Sequence, residues 1–134
     1  MESRLPSLIL YLDFVDANDL VAGVFNLKGM KVFKSNSASD CISILEKSNK
    51  IDLVLLNREV AVKNDFLLLK EIRKISPDIM IVILTDREFE DEKLSDQNVH
   101  ESVIKPVSPE NLADKILMMM AKMDLRESQN KINL

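Results

Sequence analysis

Four short, nearly unbroken apolar runs mark the chain: Leu8–Leu12, Asp52–Leu56 after its leading acid, Ile79–Leu84 and a brief Ser102–Ile104, with Val32–Phe33 as a weaker fifth. Runs of this length without polar alternation suit strands covered on both faces. Between them the apolar residues fall at helical spacing: Leu20, Val21, Val24 and Leu27; Cys41, Ile44 and Leu45; Phe66, Leu69, Ile72 and Ile75; Leu112, Ile116, Met120 and Met123. Strands that alternate with helices pair in parallel through right-handed crossovers. The pattern therefore predicts an α/β fold, a doubly wound five-stranded parallel sheet flanked by helices on both faces.

Local signals set the boundaries. Asp16 is placed to cap the first helix, Gly29 to end it, and Ser108 followed by Pro109 to start the last one. The segment Glu88–Gln97 should hold a further helix, short or loose, because Phe89 and Leu94 are its only large apolar residues. From Asp124 to Leu134 the chain turns polar and reads as a frayed tail or linker. The expected organisation is one domain over residues 1–123 and a tail over 124–134, in keeping with the size at which a chain buries a real core.

Hydrophobic residues make up 46% and charged residues 30%, with 2 Gly and 4 Pro, a balance that argues against disorder. The formal net charge of −4 offers no general basic field for a phosphate backbone, so the reading is no nucleic acid bound by this domain, with proteins as partners. A single cysteine, Cys41, excludes an internal disulfide and a thiolate metal cluster, and suits a packed thiol in a reducing compartment. Leu8–Leu12 is too short for a signal-peptide core and no segment approaches the roughly 20 apolar residues of a membrane helix. A cytoplasmic protein that does not enter membranes is the expectation.

In doubly wound sheets chemistry sits outside the carboxyl ends of the strands. The residues that follow the apolar runs are Asp13, Asn57, Thr85 and Lys105, the last followed by Pro106. Over about Leu8 to Met123 the chain resembles the receiver domains of two-component signalling, the CheY-like, flavodoxin-like modules of response regulators. The stretch from Asp52 to Asn57, the strand from Ile81 to Thr85 and the Val-Ile-Lys105-Pro106 corner follow the family's order. The resemblance implies a site in which an acid pair holds Mg²⁺, an aspartate accepts a phosphoryl group, and a Thr or Ser and a Lys sense it. Thr85 and Lys105 match, and Asp13 matches the second acid of the pair. Leu12 stands in place of the first acid, Asn57 in place of the phosphoacceptor, and Ser102 in place of the aromatic that turns inward on activation. Asn98-Val99-His100-Glu101 replaces the small residues expected there.

These departures carry chemical consequences. An acyl phosphate forms by attack of a carboxylate oxygen on phosphorus, and a neutral amide supplies no such nucleophile. Mg²⁺ commonly relies on one or two carboxylates plus phosphate, so Asp13 alone should hold it weakly at most, and neither a metal nor another cofactor is expected. Asp13, Asn57 and Lys105 are placed to form a hydrogen-bonded plug. Without a change of charge or an aromatic lever, no bias between two states remains, and the domain is expected to stay in one. Asn57 alone would fit an engineered inactive form of an ordinary receiver; Leu12 and Ser102 depart independently, which favours natural divergence. Asp13 and Thr85 also have a plain reading as strand-end turn residues, and His100 one as a loop residue.

Leu117, Met118 and Met119 widen the apolar arc of the last helix beyond one core stripe, and flexible methionines suit adaptable contacts. They are the candidate interface for signalling proteins, a histidine kinase or an effector among them, or for self-association. The reading is thus an atypical receiver, or pseudo-receiver, that is not an enzyme and acts through protein–protein interaction independently of phosphorylation. One alternative is the regulatory receiver of a longer response regulator, with a DNA-binding effector beyond Leu134. Another is a small flavin- or nucleotide-binding enzyme. Against the latter, Gly23 and Gly29 are the only glycines and neither follows a strand, and no nucleophile–base pair is apparent.

Overall fold

The computed structural model describes residues 5–12, 15–48, 50–85, 101–104 and 108–132, with the backbone path alone for 15–17, 101–104 and 123–132. Five strands, β1 (Ser7–Tyr11), β2 (Lys31–Lys34), β3 (Leu53–Asn57), β4 (Met80–Thr85) and β5 (Glu101–Ile104), form one sheet in the order β2-β1-β3-β4-β5. Every pairing is parallel. The helices described are α1 (Val15–Leu27), α2 (Ala38–Lys47), α3 (Arg58–Ile75) and α4 (Pro109–Ile132). The expected helix at Glu88–Gln97 lies outside the described residues, as does His100.

Parallel strands read as continuous apolar runs because alternate side chains enter two separate cores. Leu8, Leu10 and Leu12, with Leu53, Leu55, Val82 and Leu84, pack with Phe25, Leu112 and Ile116 on the face covered by α1 and α4. Ile9 and Tyr11, with Val54, Leu56, Ile81 and Ile83, pack with Cys41, Leu69 and Ile72 on the face covered by α2 and α3. A fully buried Leu or Ile contributes roughly 1.5–3 kcal/mol, so the three inner strands anchor the molecule. At the opposite end of the sheet from the site, the Asp52 carboxylate accepts the Ser7 backbone N–H at 2.8 Å, and the Ser7 hydroxyl donates to the Lys50 carbonyl.

The helices differ from the expected pattern in instructive places. On α1 the buried apolar positions among the described side chains are Val21, Ala22 and Phe25, whereas Leu20 and Leu27 are exposed at 62% and 89%. Four apolar residues within eight fit several stripes, and the sheet selected the one that seats the large Phe25 ring. Asp16 lies inside α1, one residue past its start, so it does not occupy the cap position. Gly29 takes φ +90°, the left-handed conformation that closes the helix. The Ser108 hydroxyl accepts the Asn111 N–H at 3.1 Å ahead of Pro109, as the capping signal required.

Two further corrections concern length. Helix α3 begins at Arg58, well before the Phe66 stripe, but is broken at Lys63 (ψ 141°) and by the left-handed residues Asn64, Asp65 and Phe66 (φ 52°, 57° and 64°). Asn and Asp tolerate that region; Phe does not, at a cost of roughly 1–2 kcal/mol. Burial of the Phe66 ring among Leu69 and Ile72 offsets it. Helix α4 continues through Ile132, so the segment after Asp124 is helical backbone instead of a frayed tail. It contains neither Gly nor Pro, and Leu, Arg, Glu, Gln and Lys are all good helix formers.

Candidate functional site

The chain leaves β1 toward β2 on one side and returns to β3 on the other, so the topological switch point lies at the carboxyl ends of β1 and β3. Tyr11 is in register with Leu56, which brings Leu12 opposite Asn57 one step further. Leu12 is a core residue at 2% exposure and offers no ligand atom from its side chain. Its backbone is locked instead: Leu12 N–H donates to Asn18 Oδ1 at 3.3 Å and Asn18 Nδ2 donates to the Leu12 carbonyl at 2.9 Å. Asn18, buried on α1, thereby satisfies both main-chain groups where β1 ends. Asn18 was not singled out by sequence pattern, which shows it as one of four polar residues on α1, with Asp16, Asp19 and Asn26.

Asn57 ends β3 and precedes α3 at 1% exposure. An asparagine in this place often caps the helix with its side-chain oxygen. Here it makes no cap hydrogen bond; its Nδ2 donates instead to Glu59 Oε2 at 2.7 Å, a distance typical of a charge-assisted bond. Glu59 lies in the first turn of α3, where the helix dipole favours a negative charge. The nearest described carboxylate to position 57 is therefore set two residues along the chain and bound to the amide. Sequence reasoning missed Glu59, although an acid two residues past a strand end and inside a helix start was a usable signal.

Thr85 ends β4 at 3% exposure, one step beyond the Asn57–Leu84 register pair, and pairs with Ile104 of β5. The structure thus brings Leu12, Asn57 and Thr85 to one end of the sheet. Asp13 and Lys105 lie outside the described residues. Ser102 is in register with Ile83 on β5. Among the described residues no group of three or more His, Cys, Asp or Glu is arranged to hold a metal ion. Cys41 is wholly buried; burial first, and the neighbouring Asp40 charge second, push its thiol up to about 12, which leaves it inert at neutral pH.

On α4 the three interface candidates separate. Met118 is 60% exposed, Leu117 is partly buried against the core, and Met119 is buried within it beside Ile116 and Met120. The correction for Met119 follows from helix geometry, since residues three and four apart share a face and Met119 follows Ile116 by three. No helix among the described residues is long and apolar enough to cross a membrane.

Comparison with known proteins agrees with this architecture. A model of the response regulator receiver domain matches residues 13–117. A receiver domain protein (CheY-like) from Methanospirillum hungatei JF-1 superposes with a TM-score of 0.77 at 19% identity, over 91% of this chain and 98% of that one. One from Clostridium thermocellum gives 0.75 at 22%, over 90% and 98%. NtrX from Brucella abortus, solved in complex with ADP, gives 0.79 at 21%, over 96% of this chain but 29% of the longer protein. No curated protein sequence matches. With the model match spanning most of its length and the β2-β1-β3-β4-β5 sheet in place, the chain belongs to the response regulator receiver domain family.

Proposed function

We propose that this receiver domain is atypical: it takes no phosphoryl group at position 57 and acts in two-component-type signal transduction as a protein–protein interaction module. The observation that carries the reading is the bond from buried Asn57 to Glu59. An amide that donates its N–H to a carboxylate is not a nucleophile toward phosphorus, and Glu59 puts a negative charge where an incoming phosphoryl group would meet repulsion. Leu12 removes one of the two carboxylates on which Mg²⁺ would rely in the family's pattern. Asp13 and Lys105 belong in this reading as the remaining members of a fixed hydrogen-bonded plug with Asn57. Exposed Met118, with Leu117 beside it, is the contact proposed for a signalling partner or a second copy. A cytoplasmic setting goes with such a role.

Incubation with acetyl phosphate and Mg²⁺, followed by intact-mass measurement, tests the chemistry. An unchanged mass is expected; a stable added phosphoryl group would overturn the reading. Met118→Lys should weaken any measured self-association or partner affinity, and an unchanged affinity removes α4 from the interface. A second reading, the regulatory receiver of a longer regulator, is favoured by the match to less than a third of NtrX. Coding sequence for an effector continuous with this chain would establish it, and Asn57 would still argue against phosphoryl control.

A further inference from the structure

Beside the switch point, at the carboxyl ends of β1 and β2, lies a cavity of about 440 Å³. Its size falls within the range of roughly 300–1,000 Å³ typical of small-molecule sites. Tyr11 and Leu12, both largely buried, contribute apolar surface, and two cationic side chains border the space, Lys34 from the end of β2 and Lys63 from the break in α3. Leu12 and Asn18 are shared with the end of β1 described above, whereas Asn57, Glu59 and Thr85 are not among the described lining residues, so the cavity opens on the β2 side of the position 57 site.

We propose that this cavity binds a small organic phosphate, with the phosphate held by Lys34 and Lys63 and the organic part against Tyr11 and Leu12. Charge decides the ligand class. The one described acid at the rim, Asp19, accepts from Lys34 at 2.7 Å, but that pair is 52% and 71% exposed. Exposed pairs of this kind contribute little and exchange readily. Lys63 makes no ion pair with any described residue, and the exposed Asn36 amide adds a neutral donor at the rim. A phosphate monoester carries about −1.5 to −2 charges at neutral pH, enough to engage Lys63 and to compete with Asp19 for Lys34; a single carboxylate balances only one ammonium. The left-handed residues Asn64–Phe66 follow Lys63 directly, so that lysine stands at the kink of α3.

Phenyl phosphate, inorganic phosphate and benzoate serve as probes in titrations followed by amide chemical shifts on the full chain. Saturable shifts with phenyl phosphate are expected at Ser35, Asn36 and Lys63, with affinity about tenfold above that of inorganic phosphate or benzoate. Lys34→Gln and Lys63→Gln, both at exposed positions, should each weaken binding about fivefold or more, whereas Glu59→Gln should leave it unchanged. Any of three results overturns the proposal: no saturable shift up to about 20 mM, shifts centred on Asn57 and Glu59, or a lysine double variant that binds as well as the parent. Equal binding of inorganic phosphate would overturn the organic part of the assignment.

Discussion

Substituting Asn57→Asp would place a second carboxylate where a donated hydrogen bond now stands, and the cost can be worked from the geometry. Asn57 Nδ2 lies 2.7 Å from Glu59 Oε2. Two unit charges at that separation repel by about 1.5 kcal/mol at the dielectric of water and by about 6 kcal/mol at an effective dielectric of 20. Residue 57 is buried but Glu59 is exposed and free to rotate toward solvent, so the lower figure governs. Loss of a hydrogen bond to a charged group adds a comparable amount. Asn57 makes further interactions, so the total effect of Asn57→Asp mixes several terms. A double-mutant cycle with Glu59→Gln reads the coupling between the two positions, new bond included, because the introduced amide at 59 donates to the introduced carboxylate at 57 and restores the bond with its polarity reversed.

The expected coupling energy is about 3 kcal/mol in favour of the double variant at pH 7, the repulsion relieved plus the hydrogen bond restored, read from urea denaturation. Burial and Glu59 both raise the introduced carboxyl above its unfolded value of about 3.9. With that sign the single variant retains its stability below about pH 4 and loses it as pH rises through the folded value. Glu59→Gln should flatten this slope. A coupling energy within about 0.3 kcal/mol of zero, or a single variant whose stability relative to the parent ignores pH, would refute the Asn57–Glu59 bond as the organising contact of the site.

Other outcomes follow from individual contacts. Asn18→Ala should cost about 2–3 kcal/mol by urea denaturation, since it strands both the N–H and the carbonyl of Leu12; a loss under about 0.5 kcal/mol would show that the bridge does not fix the end of β1. Asp65→Val, at φ 57°, should cost about 1–2 kcal/mol by urea denaturation, because a β-branched residue does not tolerate the left-handed region that Asp does; an unchanged stability would place that turn elsewhere in conformational space. Cys41, with its thiol raised to about 12, should resist alkylation at pH 8 until the chain unfolds. The same shift means that the parent loses stability relative to Cys41→Ala as pH climbs from about 8.5 toward 12, because only the unfolded thiol ionises in that window; parallel pH profiles would contradict it.

The sequence alone determined the architecture, for a physical reason. Strands buried on both faces must be apolar at every position, so the runs beginning at Leu8, Asp52 and Ile79 could be little else, and Gly29 and Ser108-Pro109 carry their backbone preferences within a few residues. The same local logic placed Asn57 and Thr85 at strand ends. Tertiary structure decided what several elements share. Which stripe of α1 faces the sheet depends on where Phe25 fits, and which methionine of α4 is left outside depends on the rotation of that helix against β1 and β3. The left-handed turn at Phe66 persists because a core is there to receive the ring. The bond from Asn57 to Glu59 and the bridge from Asn18 to the Leu12 backbone are local but depend on side-chain directions at the strand ends, and the two lysines at one cavity come together only when the open sheet sets β2 and α3 in place; no periodicity along the chain encodes them.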